Sequence, residues 1–341
     1  MVKMAKLTDI AKELGLSIAT VSYVLNGRAK EKHLPEKTVR KVKEAAQRLG
    51  YLRNQSGVQL QNGHTRQVVF LSTGYDREYV FMIFIGLSDE LQKYGYYCRY
   101  CHLEPVIGKS ETEAEQFYNG ILENRPEAVV IYDALPFCRI FTEKCRDLGI
   151  RIAAVDNAAF PDADVRVYSE SRSAGEKVID FLYERGYRSI GMIEHVQQFA
   201  KPIIAGFRNG LKKYGLSVKR VHLLRIDSAI ESADDIERFL ISLKTRSALP
   251  DAICCCSDYA AVKLYSAAIR MGLKIPKNLM IVGFGGLNFK DLFAPEVPTV
   301  IKYYGEIGLT TAQILYKMFC GRIDGPVIKS IECTVSDGKN Q

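Results

Sequence analysis

A chain of 341 residues, 47% apolar and 25% charged, is long enough for two or three domains and has the composition of a soluble globular protein. It contains no apolar run of about 18 residues and no apolar leader of the signal type, which argues against a membrane span and export. The nine cysteines then belong to a reducing, cytoplasmic setting rather than to a disulfide framework. The net charge of +8 is unevenly placed: residues 1–66 carry 13 lysines and arginines against five acids, leaving 34 of each sign beyond Arg66. A basic front segment on a neutral body suits a polyanion-binding module.

In the front segment, Leu7, Ile10, Ala11 and Leu14 recur at helical spacing, and Gly15 ends the pattern. Ser17 can cap a second helix that buries Val21, Val24 and Leu25, leaving Ile18, Ala19, Ser22 and Tyr23 on its outer face. Two short helices joined by a Gly-containing turn form a helix-turn-helix, whose second helix enters the DNA major groove. A polar loop follows, GRAKEKH, and Pro35 opens a third helix with Val39, Val42, Ala46 and Leu49 as its buried stripe and Gly50 as its stop. Residues 53–66 are polar, with Val58 and Leu60 set among amides, the composition of a linker.

The words DIAKELGLSIATVSYVLNG, PEKTVRKV and LGY closely resemble the opening of the lac/gal repressor family of bacterial transcription regulators. The resemblance implies a DNA-binding head at 1–52 and a hinge at 53–66 that becomes helical when dimer and operator meet. Within the head it places Ser17, Thr20, Ser22, Asn26 and Tyr51 at phosphates, and Ile18, Ala19 and Tyr23 at base edges. In the hinge it matches Asn54 to a linker asparagine and Leu60 to a leucine wedged into the minor groove. Tyr23 departs from the pattern, because arginine is common there and grips guanine through two hydrogen bonds. The GRAKEKH loop is also a few residues longer than the family's usual turn.

From residue 67 onward, short apolar runs alternate with helix-length segments. Strands are expected at Val68–Ser72, Tyr96–Cys101, Ala128–Tyr132 and Ile152–Asp156, and again near Ser189–Ile193, Arg220–Arg225, Ala252–Cys256 and Met280–Phe284. Helices are expected near 79–94, 111–124, 138–148, 171–185, 201–214, 230–246 and 258–271. This alternation predicts an α/β core of two doubly wound parallel-sheet lobes: lobe 1 at about 67–157 and 288–320, lobe 2 at about 165–287 and 321–341. GYRSIGMI, AGFRNGLKKYGL, CCSDYAAVKLYSAAIRMGLKIPKNLMIVGF and PTVIKYYGEIGLTTAQIL resemble segments of the same family's sensor domain. That domain is similar to periplasmic sugar-binding proteins, with two lobes, three crossovers and a ligand between them.

Open parallel sheets bind ligands beyond the carboxyl ends of their strands. Those ends carry Tyr75, Asp76, Tyr132, Asp133, Asp156, His195, Asp258 and Phe284, aromatic and acidic groups that suit a hydroxylated effector such as a carbohydrate. The same acids can equally cap the helices that follow. Against the family's pattern, Ile203 stands where an effector-gripping arginine is usual, with Lys201 as its candidate replacement, and Gly285–Gly286 stand where relatives carry Asp-Asp.

No cofactor, metal site or nucleophile arrangement emerges. Cys98 and Cys101 are three apart on an expected strand and so point to opposite sides. Cys254–Cys256 sit in a buried run, and Gly283-x-Gly285-Gly286 does not complete a dinucleotide fingerprint. The reading is a ligand-responsive, sequence-specific DNA-binding regulator, a repressor rather than an enzyme. Its partners are pseudo-palindromic double-stranded operator DNA, a small molecule and a second copy of the chain. Only 21 residues follow Cys320 and they carry no leucine heptad, which favours a dimer. A regulator of the same fold with altered effector sensing stays open beside it; a solute-binding protein should carry an export signal and no basic head and fails on both, and an NAD-dependent enzyme rests on one incomplete glycine cluster.

Overall fold

The computed structural model describes residues 5–51, 64–73, 77–103, 107–132, 137–156, 160–227, 233–294 and 297–338. Asn54, Leu60, Tyr75, Asp76 and Asp133 lie outside the described residues. The chain forms two compact units, residues 1–65 and 66–341.

The first unit holds α1 (Leu7–Leu14), α2 (Ile18–Leu25) and α3 (Glu36–Arg48). Gly15 takes φ 63°, the left-handed conformation that ends α1 without steric cost. Ile10, Ala11, Val21, Val24, Val42, Ala45 and Ala46 are buried together, with Leu7, Leu14, Leu25, Val39 and Leu49 packed around them. Pro35 is the cap of α3 rather than its first residue. The long loop folds back on itself: Arg28 N–H donates to the Tyr23 carbonyl at 2.9 Å, Leu34 N–H to that of Ala29 at 2.9 Å, and both Ala29 and Leu34 pack against the small core. The extra residues therefore extend the hydrophobic contact of a head that has little apolar area to bury.

The second unit is built on two six-stranded sheets, ordered β11-β5-β4-β3-β1-β2 and β12-β10-β9-β8-β6-β7. The first contains β1 (Gln67–Ser72), β2 (Tyr97–His102), β3 (Ala128–Ile131), β4 (Arg151–Val155), β5 (Val165–Ser169) and β11 (Val327–Ile331). The second contains β6 (Ile190–His195), β7 (Leu223–Ile226), β8 (Ala252–Cys255), β9 (Met280–Gly285), β10 (Thr299–Ile301) and β12 (Thr334–Ser336). All pairings are parallel except that of β10 with β12. Alternate residues feed opposite faces: Val68 and Phe70 enter one core of the first sheet, Val69 and Leu71 the other. Burial on both faces explains the unbroken apolar runs of the central strands.

The helices of this unit are α4 (Glu78–Lys93), α5 (Glu111–Leu122), α6 (Cys138–Asp147), α7 (Ser171–Glu184), α8 (Ala200–Lys213), α9 (Ala233–Thr245), α10 (Asp258–Arg270), α11 (Asn288–Phe293) and α12 (Tyr304–Phe319). Helix α12 packs on α4 in the core of the first lobe, so the chain passes between the sheets after Ser169, after Ile301 and after Ile331. The division differs from the sequence reading. Residues 165–169 and 327–331 are strands of the first sheet, not parts of the second lobe, and 299–301 belong to the second sheet, not the first. These strands are short, and their membership is decided by pairing partners far away in sequence rather than by local pattern. The strand expected at Arg220–Arg225 begins instead as a 3-10 turn, Arg220–His222.

Candidate functional site

In the first unit, Ser17 Oγ accepts a hydrogen bond from Thr20 N–H at 3.0 Å and meets Thr20 Oγ1 at 2.8 Å, which fixes the start of α2. Val21 and Val24 face inward, so Ser17, Ile18 and Ala19 are exposed and Thr20, Ser22, Tyr23 and Asn26 are half-buried along the other side. Ile18, a large aliphatic side chain, is 51% exposed with no protein partner evident in the small core. Asn26 donates from Nδ2 to Ser22 Oγ at 3.1 Å, and Arg28 and Lys32 lie 5.9 and 5.3 Å from the centre of the Tyr23 ring. The face thus presents a hydroxyl- and amide-rich edge flanked by cations. Tyr51 differs: it packs partly against the head core.

In the second unit, each sheet reverses its strand order at one place, between β1 and β3 and between β6 and β8. Such switch points open a crevice beyond the strand ends. There a cavity of about 780 Å³, its open mouth included, lies between the lobes. Tyr132, Asp156, His195 and Phe284 line it, as the sequence reading expects.

Two expected residues do not. Lys201 is exposed on the flank of α8 while Ile203, one face round, is buried and lines the cavity, so the helical period itself prevents Lys201 from standing in for an arginine at 203. Asp258 is fully buried behind the cleft, accepting from Leu287 N–H at 2.8 Å and from Thr299 Oγ1 at 2.5 Å. Burial raises its pKa, and those two hydrogen bonds oppose the rise. Asp258 ties the turn after β9 to β10 and is a structural acid.

Several lining residues escape sequence reasoning. Tyr79 and Tyr304 join the expected Tyr132 in an aromatic wall, the Tyr79 ring centre 5.7 Å from that of Tyr132 and 5.5 Å from that of Tyr304. Arg77 donates to Tyr79 Oη at 2.9 Å, which fixes the ring's edge. Phe199 stands opposite, its ring centre 5.2 Å from that of His195. At the floor, Lys302 Nζ pairs with Asp156 Oδ2, the other Asp156 oxygen accepts from Ser169 N–H at 2.9 Å, and the ammonium lies 5.2 Å from the Tyr304 ring centre. Asp156 itself adopts φ 50°, which places its carboxylate off the strand direction.

His195 Nε2 lies 3.0 Å from Ser257 Oγ. Burial lowers the imidazole pKa and Arg77 adds to the effect, against an opposing backbone contact from Asp227, so the ring is neutral at pH 7 and offers one donor and one acceptor. Cys256 also borders the cavity, but burial pushes its thiol up to about 12, leaving it inert as a nucleophile. The cleft can thus stack a ring or pyranose face and hydrogen-bond its edges.

Comparison with known proteins addresses both units. The sequence pattern of bacterial regulatory proteins of the lacI family matches residues 6–54, and that of the periplasmic binding protein-like domain matches residues 179–338. Residues 6–54 thus carry the pattern of a lacI-family head, and the body resembles the periplasmic binding protein-like domain. Catabolite control protein A of Staphylococcus aureus is 25% identical over 318 residues, covering 91% of each chain. The HTH-type transcriptional repressor PurR of Actinobacillus pleuropneumoniae is 25% identical over 321 residues, covering 92% of this chain and 90% of that one. In fold, the chain matches the lac repressor dimer bound to operator and the anti-inducer ONPF with a TM-score of 0.82 at 16% identity, over 98% of both chains. Among the described residues no helix is long and apolar enough to cross a membrane.

Proposed function

We propose that the chain is a lacI-family member, a cytoplasmic, sequence-specific transcriptional repressor rather than an enzyme, acting as a homodimer on a pseudo-palindromic operator. Its operator affinity is set by a small molecule held between the lobes. The observation that carries the reading is the outer face of α2, where Ile18, Ala19, Ser22 and Tyr23 stand clear of the head core on the segment that holds the chain's whole charge excess. Ser17, Thr20, Ser22 and Asn26 are assigned to phosphates, with Tyr51, Asn54 and Leu60 completing the DNA set. Ile18, Ala19 and Tyr23 read base edges. The lac repressor's capture with operator, as a dimer, supports the same mode here.

In the cleft, Tyr79, Tyr132 and Tyr304 stack the effector while Asp156, His195 and Arg77 meet its polar edge. Carbohydrate is the leading class, and a regulator named CelR, of like fold with a TM-score of 0.69, has been solved as a cellobiose complex. For the effector to act, it must bind one arrangement of the lobes more tightly than the other, typically by about 1–3 kcal/mol.

One observation favours a second reading, altered effector sensing. Ile203 and Gly285–Gly286 supply no charged grip, and Asp156 is already satisfied by Lys302 and Ser169. Thermal shift of the full chain against panels of sugars and nucleobases separates the two. A shift with a sugar, abolished by Tyr79→Ala, supports sugar sensing; no shift with any member supports the second reading.

A further inference from the structure

Outside the cleft, a second and separate pocket opens on the flank of lobe 2, between α8 and the ends of β6 and β7. Its residues are all described, and its chemistry is one-sided. Glu194 is the single acid among the lining residues, against Lys201, Arg208 and Arg225. Glu194 sits opposite Arg225 in the β6–β7 register and is 4% exposed at its side chain. One of its oxygens accepts from Arg208 Nη2 at 2.8 Å and the other from Arg225 Nε at 3.2 Å.

A buried carboxylate needs compensation, but one guanidinium supplies it. Here two converge, and both remain more than half exposed, at 56% and 63%. Glu194 therefore works as a bracket: it holds one nitrogen of each guanidinium in place while both arginine side chains stay largely open to solvent. Lys201, seven residues before Arg208, lies on the same side of α8 and adds a third cation. The pocket carries an excess of two positive charges on preorganised donors, which is the arrangement that recognises a tetrahedral dianion through several charge-assisted hydrogen bonds.

We propose that this pocket is a binding site for the phosphoryl group of a small metabolite, distinct from the cleft. It meets the cleft at His195, which borders both cavities, so its occupancy bears directly on the wall of the effector site. The proposal does not rest on the regulator reading, since it concerns only residues of lobe 2.

Isothermal titration calorimetry of the full chain with pyrophosphate, at fixed ionic strength, tests it. Saturable binding of one pyrophosphate per chain is expected, weakened at least tenfold in Arg225→Gln and severalfold in Lys201→Ala. Lys201 is a surface residue, so loss of binding in that variant cannot be attributed to unfolding. Absence of saturable heat overturns the proposal, as does binding that both variants leave intact, which would locate it in the basic head. Equal affinity for nitrate overturns the dianion assignment. Weakened duplex-DNA binding by Arg225→Gln without any pyrophosphate binding would make the patch a DNA contact and overturn it as well.

Discussion

Lys302 and Asp156 offer the sharpest test of how the two lobes are held together. The pair joins the end of β10 in one sheet to the end of β4 in the other, beside the places where the chain crosses between lobes. Their side chains are 10% and 9% exposed. Breaking a buried pair by removing one partner typically costs about 3–5 kcal/mol, because an uncompensated charge stays behind. In Lys302→Met the carboxylate keeps the Ser169 N–H, and the lobes can part to admit water, so the expected loss is at the low end, about 3 kcal/mol. Adding Asp156→Asn removes the stranded charge and should return the protein to within about 1 kcal/mol of the parent. Urea unfolding followed by far-UV circular dichroism reads both variants, and small-angle scattering reports whether Lys302→Met opens the lobes. An unchanged midpoint in the single variant, or a double variant as weak as the sum of the singles, would refute the reasoning.

Glu90, buried between α4 and α12, accepts from Lys93 at 2.7 Å, Tyr94 at 2.6 Å and Gln313 at 3.1 Å, and those donors hold its pKa down to about 2. Because the folded value lies below the unfolded one, its stabilisation is present in full above pH about 4.5 and disappears as pH falls toward 2; Glu90→Gln should lower the urea midpoint at pH 7 and flatten the acid limb between those values. Gly308 lies where α12 touches α4, and a methyl there would strike the Ile83 carbonyl and Leu87 N–H, so Gly308→Ala should cost about 1–3 kcal/mol in thermal or urea unfolding. Phe81 and Ile85, one turn apart on α4 and each 49% exposed, form an apolar stripe suited to a second copy of the chain, with Phe81 stacked on Tyr100 of the edge strand β2; Phe81→Glu should shift sedimentation from dimer to monomer at micromolar concentration.

The head was legible because each of its signals is local. Gly15, Ser17 and Gly50 act within a few residues of where they stand, and the stripes that they bound are short. The central strands were legible for a different reason: runs such as Ala128–Ile131 are buried on both faces, so no alternation interrupts them. What the sequence hid is non-local. Lys302 and Tyr304 reach the cleft just after β10, a strand of three residues that only its distant partners β9 and β12 define. Arg77 and Tyr79 follow Asp76 directly, and the rule of strand ends could have found them had it been carried into the first turn of α4. Asp258 illustrates the opposite failure. A strand-end acid satisfies the pattern for a ligand contact and for a buried brace equally well, and only Leu287 and Thr299, 29 and 41 residues away, decide between them.

The central claim is that the exposed face of α2 reads DNA sequence. Fluorescence anisotropy of the full chain on labelled upstream intergenic duplexes, across a salt series, tests it most directly. The account predicts one pseudo-palindromic site bound roughly 10³-fold or more tighter than scrambled DNA, with affinity falling steeply as salt displaces phosphate contacts and with Ile18→Ala and Tyr23→Ala erasing most of that preference. Equal affinity for every duplex, or no binding at low salt, would contradict it.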